Sequence, residues 1–215
     1  MNYKIQNIIF FVITLIICSF LYPLMFNNIV YSQNVNIIDW NELKRESQEI
    51  IKEDDNNILA NFNYSISMAN LGEIEDAYDY FEIIKNRFTI DEFNNTINPL
   101  ILDVDHNSNN ILLLNYAAFT SAINSNYEYS IPYFKRILII EPNNIWVKNF
   151  LAATYLELKD YDLAIETAMD ANRIKRNQYS HLIIGVAHYN NGNTFRALNQ
   201  FRRAGNLIAR IIFND

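Results

Sequence analysis

The side chains that could do chemistry in this chain of 215 residues are few: three histidines, one cysteine and a run of alternating oxygen-bearing residues. His181 and His188 fall on one predicted helix, but no carboxylate stands beside them at ligand spacing. They therefore read as packing or surface residues rather than metal ligands. The run DVDHNSNN, residues 103–110, alternates oxygens as a calcium loop does. It lacks the central glycine, and Leu114 stands where the bidentate glutamate belongs, so it reads as a polar loop. Cys18 is alone, which rules out a disulfide within one chain. There is no glycine-rich phosphate loop and no serine in a nucleophile-elbow pattern. Acids are plentiful, but none pair in a way that singles out a catalytic couple. The expectation is a non-enzymatic protein with no metal and no cofactor.

The elements that position side chains here must come from a chain that is 50% hydrophobic and 19% charged, enough to bury a core. Glycine and proline number four each, too few for a turn-rich all-β protein. Asn and Ile are so frequent that no single Asn is given weight. A net charge of −7 argues against nucleic-acid binding by the whole chain. The charge is uneven: residues 35–110 hold 16 acids and 5 bases, net −11, whereas 171–215 hold seven bases and only Asp215, net +6. Solvated helix faces account for this. So does a basic end that meets an acidic partner, an anionic membrane or the acidic end of another copy.

Residues 1–32 read as an export signal or membrane anchor. Lys4 precedes an apolar run from Ile8 to Tyr22, Pro23 interrupts it, and Leu24 to Phe26 extend it. Val30 and Ser32 offer a cleavage site that starts the mature chain at Gln33. Residues 8–26 are also nearly long enough to span a bilayer, which takes about 20 residues. Leu15-Ile16-Ile17-Cys18 loosely resembles a bacterial lipobox. The expected location is exported, periplasmic or membrane-associated, in a bacterium.

The strongest pattern is a repeat. In LAATYLELKDYDLAIETAMDANRI, residues 151–174, a helical pattern breaks at Lys159-Asp160 and resumes at Tyr161, Ala164, Ala168 and Ala171. Thirty-four residues upstream, Ala118 matches Ala152, Tyr127 matches Tyr161, Ser130 matches Ala164 and Phe134 matches Ala168. Downstream, Gly185, Gly192, Ala197, Phe201 and Ala204 stand in register after a one-residue deletion. Upstream again, Ser65, Gly72, Ile74, Ala77, Phe81 and Ile84 fall at matching offsets. Small residues at these places let two antiparallel helices approach closely.

This pattern of small residue, turn, aromatic, alanine and phenylalanine on a 34-residue period resembles the tetratricopeptide repeat family. The implied fold is all-α: an α-α superhelical solenoid of about four helix hairpins. The units run at about 58–91, 111–144, 145–177 and 178–211, within a repeat domain spanning 58–215. Pro142 closes the second unit. Residues 33–57 read as a linker and a capping helix, in which Leu43, Ser47 and Ile50 fit the second helix of a degenerate unit. An insertion at about 92–110 holds a short helix and a polar loop.

Family resemblance also implies a site. Such arrays bind protein or peptide segments in a concave groove lined by first helices. Carried across, the groove-facing places are Leu59, Phe62, Ile66 and Ala69, then Leu112, Asn115, Phe119 and Ala122. They continue with Trp146, Asn149, Ala153 and Leu156, then Tyr179, Leu182, Val186 and Tyr189. Phe62, Asn115, Phe119, Trp146, Asn149, Tyr179 and Tyr189 are the expected partner-binding residues, with the two amides placed to hold an extended backbone. The lysine- and arginine-rich clamp of chaperone-tail-binding members is missing from these places, which disfavours an acidic C-terminal peptide. Leu207, Ile208, Ile211 and Ile212 continue the last helix as either a cap or an association surface, which keeps a homo-oligomer open. The resulting expectation is a scaffold for a protein partner, with self-assembly as the alternative.

Overall fold

The computed structural model describes residues 38–207, all within Asn36–Asp215, the second of the two units into which the chain divides. The expected signal or anchor, residues 1–32, lies outside the described residues. Within them no helix is long and apolar enough to cross a membrane.

Ten α-helices and no strand occur among the described residues. They are α1 (Trp40–Glu53), α2 (Ile58–Leu71), α3 (Ile74–Arg87), α4 (Ile90–Ile101), α5 (Ile111–Ile123), α6 (Tyr127–Ile140), α7 (Ile145–Glu157), α8 (Tyr161–Ile174), α9 (Gln178–Asn190) and α10 (Thr194–Ala204). Four antiparallel hairpins, α2/α3, α5/α6, α7/α8 and α9/α10, make up a tetratricopeptide-like stack. Helix α1 packs on α2, and α4 occupies the insertion, touching α2 and α5.

Two backbone devices repeat in every hairpin. Gly72, Ser125, Lys159 and Gly192 all adopt positive φ, at 85°, 58°, 64° and 75°. Around each, two amides close the first helix on its own carbonyls. At Lys159, for example, its N–H donates to Leu156 and that of Asp160 to Tyr155, at 3.0 and 2.9 Å. This is the Schellman ending, which satisfies carbonyls a helix would otherwise orphan. The second device is a cap. Asn57, Asn110, Asn144 and Asn177 each precede a first helix, and each side-chain oxygen accepts an amide of its first turn. No second helix of a hairpin has such a side-chain cap.

The small residues lie where the helices touch. Ala118, Ala152, Ala164, Ala168 and Ala171 are all fully buried. Gly185 on α9 is tighter still, since a Cβ there would come within 2.5 Å of the Phe201 ring on α10. A ladder of aromatics runs beside them: Phe62–Phe93 at 5.0 Å, Phe81–Phe119 at 5.3 Å and Phe119–Phe150 at 5.0 Å between ring centroids. Each buried phenylalanine contributes about 1.5–3 kcal/mol. Burial pushes the Tyr116 hydroxyl up to about 12, and it donates to the amide oxygen of Asn63 as a neutral group.

Helix α2 is the centre of the stack. It packs against α1, α3, α4, α5 and α7, so the first hairpin meets the third as well as the second. Ala60, Asn61, Phe62 and every residue from Tyr64 to Asn70 are buried.

Lys159 holds a left-handed conformation that an L side chain adopts at a cost of roughly 1–2 kcal/mol. Lys159→Gly is expected to raise stability by up to about 1 kcal/mol, the remainder being offset by glycine's greater freedom when unfolded. A urea midpoint for the variant at or below that of the wild type would contradict this turn geometry.

Candidate interaction surfaces

The groove expected along the first helices is largely filled by the chain itself. Phe62, Asn115, Phe119 and Asn149 are 0%, 0%, 6% and 5% exposed, so they are core residues and cannot line an open groove. Ile66 and Ala69 are buried with them. The physical reason lies in the insertion and the crossing of α2 by α7. Helix α4 brings Phe93 edge-on to Phe62. Phe119 meets Phe81, Phe134 and Phe150 from three other helices.

The two amides expected to grip a peptide backbone are spent inside. Asn115 accepts from Asn70 Nδ2 at 2.9 Å and donates to the Ile111 carbonyl at 2.8 Å. Asn149 donates to Asn177 Oδ1 at 3.1 Å and accepts from the Ser180 hydroxyl at 2.6 Å. They tie α5 to α2 and α7 to the cap of α9.

Trp146 and Tyr179, at the starts of α7 and α9, meet edge to face at 6.1 Å. Both lean on the turn between α2 and α3. A Cβ built on Gly72 would fall 2.3 Å from the Trp146 ring, and the Tyr179 hydroxyl donates to Glu75 Oε1 at 3.1 Å. Of the expected groove residues, Tyr189 alone is largely open, at 61% exposed. It shares a face of α9 with Tyr179, Leu182 and Val186, all half-buried. Leu207 is buried, so it packs within the chain rather than offering an association surface. Ile208, Ile211 and Ile212 lie outside the described residues.

Two features escape sequence reasoning, the exposed apolar pair on α10 and a recess. Phe195 and Leu198 on α10 are 92% and 61% exposed. Their helix carries Arg196, Arg202 and Arg203 and no acid. Leu198 occupies the place that Ile165 holds on α8, where α9 covers it, so α10 presents the face on which a further hairpin would stack. The second is an open recess of about 450 Å³ whose walls include Trp40, Asn70, Glu141, Pro142, Asn144 and Trp146. A usable signal existed for it, because Trp40 and Trp146 are the chain's two tryptophans.

His181 is buried, His188 is half-buried and His106 is exposed. His181 is 6% exposed, and its Nδ1 lies 2.8 Å from Gln200 Oε1 and 3.5 Å from Asn172 Nδ2. Burial, then the nearby Arg196 charge, holds the His188 imidazole below its ordinary value. In the 103–110 loop, Asp105 Oδ1 accepts from the Asn107 backbone at 2.7 Å, and the Ser108 carbonyl accepts from Arg136. Among the described residues, no three His, Cys, Asp or Glu side chains gather as metal ligands.

No protein-family model matches the sequence, and no curated protein does. Among solved structures the chain is similar to MamA MSR-1 C2, at 17% identity and a TM-score of 0.45, over 80% of this chain and 88% of that one. MamA 41-end from Desulfovibrio magneticus RS-1 is similar at 15% identity and a TM-score of 0.45, over 79% and 86%. The tetratricopeptide-like assignment rests on the chain's own turns, caps and small-residue contacts, to which likenesses of this size add no argument.

Gly72 and Gly192 occupy equivalent turns, but no atom would lie within 4 Å of a Cβ at Gly192. Gly192→Ala is expected to cost the left-handed strain alone, roughly 1 kcal/mol. Gly72→Ala must also displace the Trp146 ring, adding about 1–3 kcal/mol. Paired denaturant titrations that give equal losses, with no change of tryptophan emission in Gly72→Ala, would show that Trp146 does not rest on this turn.

Proposed function

We propose that this protein is a non-enzymatic scaffold that binds a partner polypeptide on the half-exposed face of α9. The observation carrying this reading is the stripe of Tyr179, Leu182, Val186 and Tyr189. It holds the one expected groove residue that is largely open, Tyr189, beside half-buried Leu182 and Val186, and an apolar stripe with an open end favours contact. The stripe holds no charged side chain. Its chemistry therefore suits an apolar or amphipathic segment rather than an acidic tail. In this reading the scaffold works outside the cytoplasm of a bacterium, exported or membrane-attached through residues 8–26.

A specific observation favours a second reading, self-association through α10. Phe195 and Leu198 stand exposed among three arginines, while the helices from α1 to α4 are rich in acids. A basic end meeting the acidic end of another copy is a head-to-tail contact, which builds rings or filaments rather than closed pairs.

Crosslinked capture with the full chain, alongside a folded Leu182→Asp/Tyr189→Asp variant, separates the two. A distinct protein held by the wild type and lost by the variant is the outcome expected of the scaffold. Recovery of the chain alone, undiminished in the variant, would overturn it. Self-association instead predicts a sedimentation coefficient that falls at high salt and in Phe195→Asp.

A further inference from the structure

The recess beside Trp146 belongs to neither reading above. It lies where the C-terminal end of α2 meets the start of α1 and the turn from α6 into α7. Both indoles of the chain contribute to its walls. Glu141 is the one charged residue among the lining residues, and no basic side chain lines the recess. Glu141 Oε2 accepts from Asn144 Nδ2 at 2.8 Å. Its second oxygen makes no bond to a described residue.

Asn70 adds an independent pointer. It is 8% exposed, and its Nδ2 donates to the Ile66 carbonyl and to Asn115 Oδ1. Those two bonds fix which end of the amide is the oxygen, and that oxygen is buried without a donor. That oxygen is closed off from solvent, so it adds negative character behind the wall of the recess, and no basic side chain lines the recess to offset it. Helix ends do not reverse this polarity. The N-termini of α1 and α7 are satisfied by the side chains of Asp39 and Asn144. The C-termini of α2 and α6 oppose them with their carbonyl ends. Lys44 on α1 is engaged by Glu73.

We propose that this recess binds the primary ammonium group of a lysine side chain on a partner polypeptide. Indole faces attract a cation through their quadrupole. The Glu141 carboxylate pairs with it through a charge-assisted bond. Asn144 engages Oε2, so the other Glu141 oxygen is the one that accepts an N–H of the ammonium. That last requirement separates a primary ammonium from a quaternary one, which attracts indoles equally but carries no N–H. One Glu141 oxygen is open while Asn144 holds the other, which suits a compact ammonium better than a guanidinium fork. A recess at the small end of the range for ligand sites, about 300–1,000 Å³, accommodates one side chain with its alkyl stem.

Because both tryptophans line the recess, intrinsic fluorescence of the full chain reports on it directly. Titration with n-butylammonium at constant ionic strength is expected to give a saturable change, with a dissociation constant of about 1 mM or tighter. Glu141→Gln keeps an acceptor for Asn144 while removing the charge, and it is expected to weaken binding at least about tenfold. In the wild type, both indole N–H resonances are expected to shift with the same constant. Neutral n-butanol is expected to give no saturation. A lysine-bearing peptide is expected to act like n-butylammonium, and its Nε-acetylated form to do nothing. Equal or tighter binding of n-butyltrimethylammonium, or binding of phosphatidylcholine vesicles but not of the lysine peptide, would overturn the proposal. So would saturable binding of acetate, an affinity unchanged in Glu141→Gln, or still indole resonances. None of these variants alters α9, so failure here leaves the scaffold reading to its own test.

Discussion

A buried amide left unpaired costs about 1–3 kcal/mol, and that constraint governs how the first helices of this chain pack. Asn115, Asn149 and Ser180 sit at or near zero exposure on helices that are otherwise apolar. They are tolerable there because each finds its partner on another first helix or its cap. Asn70 reaches from α2 to Asn115 on α5, and Asn149 reaches from α7 to Asn177 at the head of α9. The pairs fix the register between hairpins in a way that apolar packing alone does not, since hydrophobic contact carries no direction. The same bonds consume the donors and acceptors that an extended peptide would need. Interhelical order and an open polar groove compete for the same side chains, and here interhelical order wins.

The second constraint comes from the break in the period. Spacing between equivalent turns is 34 and 33 residues among the last three hairpins but 53 between the first two, from Gly72 to Ser125. The extra segment contributes α4, which places Phe93 and Ile97 in the core. Phe62, at a groove-facing place in a regular array, is thereby covered. Helix α2 also meets α7 of the third hairpin, which a regular neighbour-to-neighbour stack does not require. That crossing is close enough that the turn at Gly72 has no room for a Cβ against Trp146. The first hairpin therefore serves the later ones as a core, and the last hairpin keeps the more open surface.

Much of this was legible in the residues. The small positions at Ala118, Ala152 and Gly185 gave the hairpin contacts, because tight helix packing admits few other side chains. The turn positions were legible where glycine marks them, at Gly72 and Gly192, and less so at Ser125 and Lys159, which take the same conformation without the usual residue. Asparagines were not legible at all. A composition rich in Asn hides four caps at Asn57, Asn110, Asn144 and Asn177, although their spacing matches that of the turns. The groove failed for a different reason. Which face of α2 or α5 is open depends on where α4 and α7 lie, and a periodic pattern carries information about neighbours in sequence, not about a contact two hairpins away.

The surfaces left open follow from these constraints. A second helix exposes its outer face unless the next first helix covers it, as α9 covers Ile165 on α8. Nothing among the described residues does this for α10, and Phe195 and Leu198 remain outside. The recess at Trp40 and Trp146 has another origin, since it forms where four helix ends converge around Glu141 and Pro142. Helix ends pack less completely than helix sides because their caps and turns hold the backbone apart. Helix α10 thus offers Phe195 and Leu198 beside positive charge, and the junction of α1, α2 and the loop from α6 to α7 offers a small aromatic recess with negative charge. A single ligand chemistry does not suit both, which is why the two surfaces call for separate partners or for separate parts of one.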